Sequence, residues 1–365
     1  MITLVVTEGG GSLDLYSQEL AGKLDVPKVY TNIYQKIAER FNISWFSWGA
    51  LEAIWANWHF VRMLKRLDGI VHLPSHHLGR YGCLIKIPYI ITVHDLIRYF
   101  DLKGYETYIH PPNSRDRFYL SRDYQGVTKA MRIIAVSECT KRDLIDHLGI
   151  PEERISVIYE GVDHSVFKPV AQRYLEYPYI LYVGSEHPRK NFSTLLRAFG
   201  KLKGEEQFRD LKLVKVGKAG GREVDFRGRT IKVINTLGLT EEVILLDYAA
   251  EDELPVYYSG AECFILPSLY EGFGLTLVEA MACGCPAVIS DCASLPEVAG
   301  GAALEVDPHD ADVMAGALKQ VLTNQELRKK LVAKGIEQAA KFSWGRTARE
   351  TGKVYRDVEA SLTSK

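Results

Sequence analysis

Residues 266–291 read LPSLYEGFGLTLVEAMACGCPAVISD. The run that ends at Leu266 is short and apolar, as a strand buried on both faces of a parallel sheet would be. A loop over 267–274 follows, and a helical pattern begins near Leu275. Glycines at 272 and 274 let the backbone approach a ligand closely. A helix that starts at the carboxyl edge of a sheet offers N–H donors and a partial positive charge there, which suits a diphosphate. Two carboxylates flank the turn. Glu271 precedes the helix, and Glu279 lies just over one turn into it. An ionised carboxylate accepts hydrogen bonds from both hydroxyls of a vicinal diol, so the pair suits sugar and ribose hydroxyls.

Carboxylates alone repel a diphosphate, so cations must stand close by. Residues 183–191, VGSEHPRKN, supply them. A strand ends at Val183, Gly184 and Ser185 make the turn, and Arg189 and Lys190 come just before a helix near Phe192. From there they can neutralise the charge growing on a leaving diphosphate.

The same alternation runs along the chain. Short apolar runs fall at 2–6, 70–73, 89–93, 133–136 and 155–159, then at 179–183, 211–216, 243–246, 263–266, 287–290 and 303–306. Amphipathic segments separate them, for example Leu195, Phe199 and Leu202 at helical spacing. Strand–helix alternation implies parallel sheets with helices on both faces. A polar stretch with Gly161, Pro169 and Pro178 marks the break between halves. The expected organisation is α/β: a Rossmann-like domain over 1–168, a second over 169–341, and a terminal segment over 342–365. In that segment Ser343 caps a helix whose Trp344, Ala348, Val354, Tyr355 and Val358 need a surface to cover.

In the first half, Thr7 and Glu8 lead into Gly9, Gly10 and Gly11, a glycine loop after the first strand. It fits close approach to a phosphate or sugar but lacks a dinucleotide-binding spacing. His94 and Asp95 stand just past a strand end, on the edge where ligands bind in parallel sheets. His76 and His77 end another strand and are candidates for an acceptor pocket. Residues 98–124, rich in Tyr, Arg and Asp and including Tyr99, are expected to be a long loop facing an acceptor. Trp45, Trp48, Trp55 and Trp58 fall within 45–58, and Leu51, Ile54, Trp55, Trp58, Val61 and Leu64 share helical spacing, with Arg62, Lys65 and Arg66 nearby. The stripe reads as core packing or as an interfacial helix reaching a lipid-linked acceptor.

Composition excludes other classes. Across 365 residues the net charge is −1, with 25% charged and 47% hydrophobic residues, so no global basic field points to nucleic acid. No apolar run reaches the roughly eighteen residues of a membrane-spanning helix. Residues 1–6 read as a first strand rather than a signal peptide. Cys83, Cys139, Cys263, Cys283, Cys285 and Cys292 lack the density of a disulfide scaffold, and a cytoplasmic chain with free thiols is expected. Cys283, Cys285 and Cys292 lack a zinc-site spacing, adjacent His76 and His77 lack companions, and no Asp-x-Asp motif stands in a suitable place. No metal or other cofactor is expected.

The Glu271…Glu279 pattern within EGFGLTLVEAMACGCPAVISD resembles the signature of family 4 glycosyltransferases, retaining enzymes of the GT-B fold. VGSEHPRKN resembles that family's donor-phosphate segment, and residues 136–163, VSECTKRDLIDHLGIPEERISVIYEGVD, resemble the end of its first domain. The likeness covers roughly 89–360. It implies two doubly wound domains facing each other across a cleft, with the terminal helix crossing back to the first. It implies that Lys190 and Arg189 bind the diphosphate and that Glu279 holds the ribose. Glu271 and the N–H groups of Phe273, Gly274 and Leu275, with Gly272 and Thr276 beside them, would hold sugar and phosphate. Gly10, Gly11, Gly184 and Ser185 would line the donor, and His94 would contact the transferred sugar. His76, His77, Asp95 and Tyr99 would fall on the acceptor side. Ser185 departs from the family, which often has Arg there, and Glu160 stands where Asn is common. The expected reaction moves a hexose, mannose or glucose favoured, from a nucleotide-diphosphate sugar to a hydroxyl acceptor with retention. Peripheral membrane contact through 45–66 or 98–124 is part of the same expectation. A sugar-nucleotide epimerase of this architecture and a non-catalytic sugar-nucleotide-binding module remain the rival readings.

Overall fold

The computed structural model describes residues 1–9, 11–31, 58–106, 108–221 and 224–363. The chain forms two compact units. One comprises Met1–Leu102, Pro112–Glu160 and Trp344–Lys365; the other comprises Lys103–Pro111 and Gly161–Ser343.

Among the described residues the first unit holds one six-stranded sheet. Its strands are β1 (Ile2–Val6), β2 (Lys28–Tyr30), β3 (Ile70–Leu73), β4 (Tyr89–Val93), β5 (Arg132–Ala135) and β6 (Ile155–Val157). The spatial order is β2-β1-β3-β4-β5-β6, and every pairing is parallel. The chain runs outward from β1 to β2, then crosses back to β3 on the other side. The topological switch therefore lies between β1 and β3, and their carboxyl ends frame the crevice where such sheets bind ligands.

The second unit repeats the design with β7 (Tyr179–Val183), β8 (Lys212–Val216), β9 (Val243–Leu246), β10 (Cys263–Leu266), β11 (Ala287–Ser290) and β12 (Ala303–Val306). The order β12-β11-β10-β7-β8-β9 puts its switch between β7 and β10. Those are the strands that feed VGSEHPRKN and PSLYEGFG. Ile180, Tyr182, Leu213, Ile265 and Val288 from the sheet pack with Leu195, Phe199 and Leu202 of helix Phe192–Lys203 to form its core. Residues this buried are short β-branched or aliphatic runs because both faces of the sheet are covered.

Helix Trp344–Thr363 belongs to the first unit. Its Val354, Tyr355 and Val358 pack with Ile2, Ile70, Ile90 and Ile134 of four neighbouring strands. The apolar stripe read from the sequence covers this sheet face.

The expected long loop over 98–124 is not present. Two helices, Ile97–Lys103 and Ser114–Lys129, occupy most of it. The Asn113 side chain accepts from the Asp116 N–H at 2.9 Å and starts the second helix. Leu120, Tyr124 and Val127 give it a buried stripe that the surrounding charges obscure. Gly126 lets this helix touch helix Gly79–Gly82, since a Cβ there would meet the Gly79 carbonyl oxygen at 1.9 Å. Of the four tryptophans in 45–58, Trp45, Trp48 and Trp55 lie outside the described residues, as does Gly10. Trp58 is exposed, with the Arg62 guanidinium 5.2 Å from its ring centroid.

Candidate functional site

In the second unit the two loops at the switch point meet. Asn191, in the left-handed region at φ 54°, ends the short 3-10 turn Pro188–Lys190. Its side-chain amide donates to the Pro267 carbonyl at 3.1 Å and the Pro308 carbonyl at 2.7 Å, tying the turn to the ends of two strands. The Leu269 N–H donates to the Arg189 carbonyl at 2.7 Å. The Arg189 N–H donates to the carbonyl of Tyr108, whose ring lies 5.4 Å from that of Tyr270. Gly184 and Ser185 complete the loop after β7: the Gly184 N–H bonds the Val216 carbonyl at 2.9 Å, and the Tyr182 hydroxyl donates to the Ser185 carbonyl at 2.6 Å.

Glu271 is the centre of this arrangement. Lys190 Nζ lies 2.5 Å and Ser268 Oγ 2.6 Å from its Oε1, and Arg189 Nη1 lies 2.9 Å from its Oε2. Arg189 Nη1 also reaches the Tyr270 carbonyl at 3.1 Å. Burial by itself would raise the Glu271 pKa. The charges of Lys190 and Arg189 and the hydrogen bonds of Lys190 and Ser268 outweigh it and hold the carboxyl at about 2. The backbone here is pinned as well: Ser294 Oγ donates to the carbonyls of Glu271 and Phe273, both at 2.9 Å.

Gly274 carries φ 105° at the N-cap of helix Leu275–Ala282. This conformation disfavours any side chain, and a Cβ would meet Leu295 Cδ2 at 2.8 Å. Gly272 and Phe273 are buried beside it, while Leu275 and Thr276 open the helix and are half-buried. The Leu277 N–H donates to the Gly274 carbonyl at 3.0 Å, and helix geometry leaves the N–H groups of Leu275 and Thr276 without an acceptor inside the helix. Glu279, half-buried on the second turn, accepts from the Tyr258 hydroxyl at 2.7 Å. Burial pushes its carboxyl up, the Tyr258 hydrogen bond lowers it and the charge of Glu251 raises it, leaving a pKa of about 7. The two glutamates that flank the turn thus have opposite character: Glu271 is a fixed anion between two cations, and Glu279 titrates near neutrality.

In the first unit, Gly11 precedes helix Ser12–Lys23, and its N–H donates back to Asp14 Oδ2 at 3.2 Å. His94 follows β4 and is buried. Its Nδ1 lies 2.6 Å from Glu160 Oε1 and its Nε2 2.9 Å from the Pro74 carbonyl. Burial would lower its pKa, but the Glu160 hydrogen bond and charge dominate and raise it. His76 is buried beside it, ring centroids 6.4 Å apart, and His77 lies half-buried 4.1 Å from His76. Asp95 Oδ1 accepts from the Ile97 N–H at 3.0 Å and so starts the next helix. Tyr99 is buried, and its hydroxyl donates to the His147 carbonyl at 2.9 Å.

Sequence reasoning passed over several partners. Ser268 lay inside the decisive stretch as an ordinary loop serine, and Tyr258 sits twenty-one residues from Glu279 with no local signal. Glu160 registered only as a departure from a pattern. Among the described residues no group of three or more His, Cys, Asp or Glu side chains is set to hold a metal ion, and no helix there is long and apolar enough to cross a membrane. All six cysteines are free thiols.

Residues 6–166 match the model of glycosyltransferase family 4, and residues 165–338 match that of glycosyl transferases group 1. O-antigen chain mannosyltransferase B of Escherichia coli is 33% identical over 299 residues, covering 79% of this chain and 74% of that one. D-inositol 3-phosphate glycosyltransferase of Salinispora arenicola (strain CNS-205) is 29% identical over 317 residues, covering 80% and 69%. Among solved structures, Anabaena HepE in complex with UDP and glucose has a TM-score of 0.76 at 17% identity, covering 97% of this chain and 99% of that one, a likeness of fold. Two parallel switch-point sheets, family models matching from residue 6 to residue 338, and a mannosyltransferase relative sharing most of its length place this chain in glycosyltransferase family 4, with the two-domain Rossmann-like GT-B fold.

Proposed function

We propose that the protein transfers mannose, with glucose as the second choice, from a nucleotide-diphosphate sugar to a hydroxyl of a glycan, a lipid-linked saccharide or a small molecule, with retention. The observation that carries this is the Arg189–Lys190–Glu271 cluster beside the glycine-opened start of helix Leu275–Ala282. Two half-buried cations next to a helix N-terminus form a receptor for a pyrophosphate, and they stabilise the negative charge that grows as the glycosidic bond breaks. Glu271 would trade part of its grip on the cations for sugar hydroxyls. Glu279 would accept from the ribose diol, and His94 would line the transferred sugar. Mannose is favoured because the E. coli relative bears the name of a mannosyltransferase; a nucleotide diphosphate is favoured because HepE is described with UDP.

Retention is proposed with front-face attack, the leaving phosphate taking the acceptor proton. Glu271, the carboxylate nearest the cations, is engaged by three donors, which fits a role in binding better than one as a covalent nucleophile. No metal or other cofactor is assigned. The protein is further proposed to work in the cytoplasm, in peripheral contact with a membrane through the basic and aromatic face of helix Ser114–Lys129, where Phe118 is 58% exposed and the Arg122 guanidinium lies 5.7 Å from its ring centroid.

A thermal-shift panel of UDP-, GDP- and ADP-sugars against the wild type and Lys190→Ala tests the donor assignment. A nucleotide-sugar that stabilises the wild type and is turned over at least about a hundredfold more slowly by Lys190→Ala is expected. Normal transfer by Lys190→Ala would refute the placement of the diphosphate.

A further inference from the structure

The chemistry of His94 follows from its two neighbours. Both ring nitrogens face acceptors, a carboxylate oxygen at 2.6 Å and a backbone carbonyl at 2.9 Å. A carboxylate oxygen and a carbonyl oxygen are both acceptors, with no proton to give. A ring that donates from both nitrogens is an imidazolium. The pair is nearly sealed, His94 and Glu160 each being 5% exposed. A buried charge persists only when it is matched, and here the match is direct.

The other groups around the ring agree with one charge at His94. Tyr16, from helix Ser12–Lys23, lays its ring edge-on at 4.8 Å. Thr140, from helix Glu138–Leu148, brings its hydroxyl to 3.5 Å from the His94 carbonyl. Asp95, next in the chain, adds a negative charge that favours the imidazolium. From the β3 side, His76 Nδ1 accepts the His94 backbone N–H at 3.4 Å, with His77 behind it. His72 on β3 hydrogen-bonds Thr92 and Tyr355, at 2.9 and 2.7 Å. Helix Trp344–Thr363 supplies that tyrosine and sets Trp344 6.0 Å from Tyr16. Burial, then the positive charge of His94, holds His72 down at about 3. Burial and neighbouring His77 and His94 lower His76 well below its ordinary value, and burial and Arg80 hold His77 at about 4. Three histidines with lowered pKa values surround one whose pKa is raised.

We propose that Glu160 is a positioning residue that holds His94 as a doubly donating imidazolium through the neutral range, so that His94 meets the transferred sugar as a fixed cation and not as a proton carrier. The proposal rests on the assignment of His94 to the sugar side. No bond is made or broken by the pair. Glu160 supplies the counter-charge, the Pro74 carbonyl fixes the ring plane, and the ring stays protonated from one turnover to the next.

The test is 15N NMR of the full-length histidine-labelled protein, wild type and Glu160→Gln, together with pH profiles of turnover from about pH 5.5 to 8.5. In the wild type both His94 nitrogens are expected in the protonated range at pH 7, with no loss of turnover traceable to the ring. Glutamine keeps an acceptor oxygen and removes the charge, so burial should drive the variant's imidazole below its ordinary value of about 6.5. Its turnover should then fall about tenfold per pH unit above the new value and recover towards the wild-type rate in acid, a recovery that a merely structural defect would not give. A neutral His94 in the wild type at pH 7 overturns the proposal, and that measurement needs no variant. A neutral ring in Glu160→Gln with an unchanged pH profile leaves the charged pair intact and overturns the placing of His94 on the reacting sugar.

Discussion

Replacing Glu271 by glutamine removes the one anion shared by Lys190, Arg189 and Ser268. Its cost can be worked from the carboxyl's own titration. The group ordinarily loses its proton at 4.5 and is held at about 2 in the fold. At ~1.36 kcal/mol per pKa unit, that gap is roughly 3 kcal/mol of preference for the folded, ionised form. The sign follows from the depressed value. The stabilisation is complete above 4.5 and is lost as pH falls through about 2. Glutamine keeps one oxygen for Lys190 or Arg189 and turns an N–H2 toward the other, so the negative charge that Glu271 shares with these half-buried cations is removed. A loss of roughly 3 kcal/mol at pH 7 is therefore expected, in the range for removing one partner of a buried ion pair. At about pH 3 the wild type has already lost more than half of this contribution, so the difference should shrink to about 1.4 kcal/mol. Urea unfolding followed by far-UV circular dichroism at the two pH values measures both numbers. A double-mutant cycle with Lys190→Met isolates the direct pair at 2.5 Å and should return a coupling above ~1 kcal/mol. A Glu271→Gln cost below about 0.5 kcal/mol, or a difference that fails to shrink in acid, would refute the reasoning.

Three further outcomes are expected. Donor affinity should rise with pH through about 7, because an ionised Glu279 is the better acceptor for a diol; Tyr258→Phe should move the midpoint upward and Glu279→Gln should abolish it, as isothermal titration can show. Gly274→Ala should lower kcat/KM by about tenfold or more with a smaller effect on the far-UV spectrum, since φ 105° and the contact with Leu295 force the helix start to move. Dialysis against a metal chelator should leave the transfer rate unchanged; a loss restored by added magnesium would contradict the assignment of charge stabilisation to Arg189 and Lys190.

The elements of the proposed donor site were legible because their signals are local. A strand–glycine–helix step announces its own geometry: the glycines mark where a Cβ is not tolerated and the apolar run marks a sheet interior. Arg189 and Lys190 were readable by position, since residues just before a helix that starts at a strand's carboxyl end must lie at the sheet edge. The apolar stripe Val354, Tyr355 and Val358 was legible for the same reason, while its destination on the first domain followed from the family resemblance rather than from the residues themselves. The 98–124 stretch was misread because polar residues outnumber the buried Leu120, Tyr124 and Val127, and the cap at Asn113 is a single residue.

By itself the sequence determined the alternation of strand and helix, the two sheets, the glycine-opened turn and the identity of the charges gathered there, all consequences of periodicity and of backbone limits acting over a few residues. Only the tertiary structure decided what those charges do to one another. Glu271 lies more than eighty residues from Lys190 and Arg189, Glu279 twenty-one from Tyr258, and His94 sixty-six from Glu160. A carboxylate or an imidazole takes its protonation state from burial and from partners within a few ångströms, and those distances exist only once the sheets have closed.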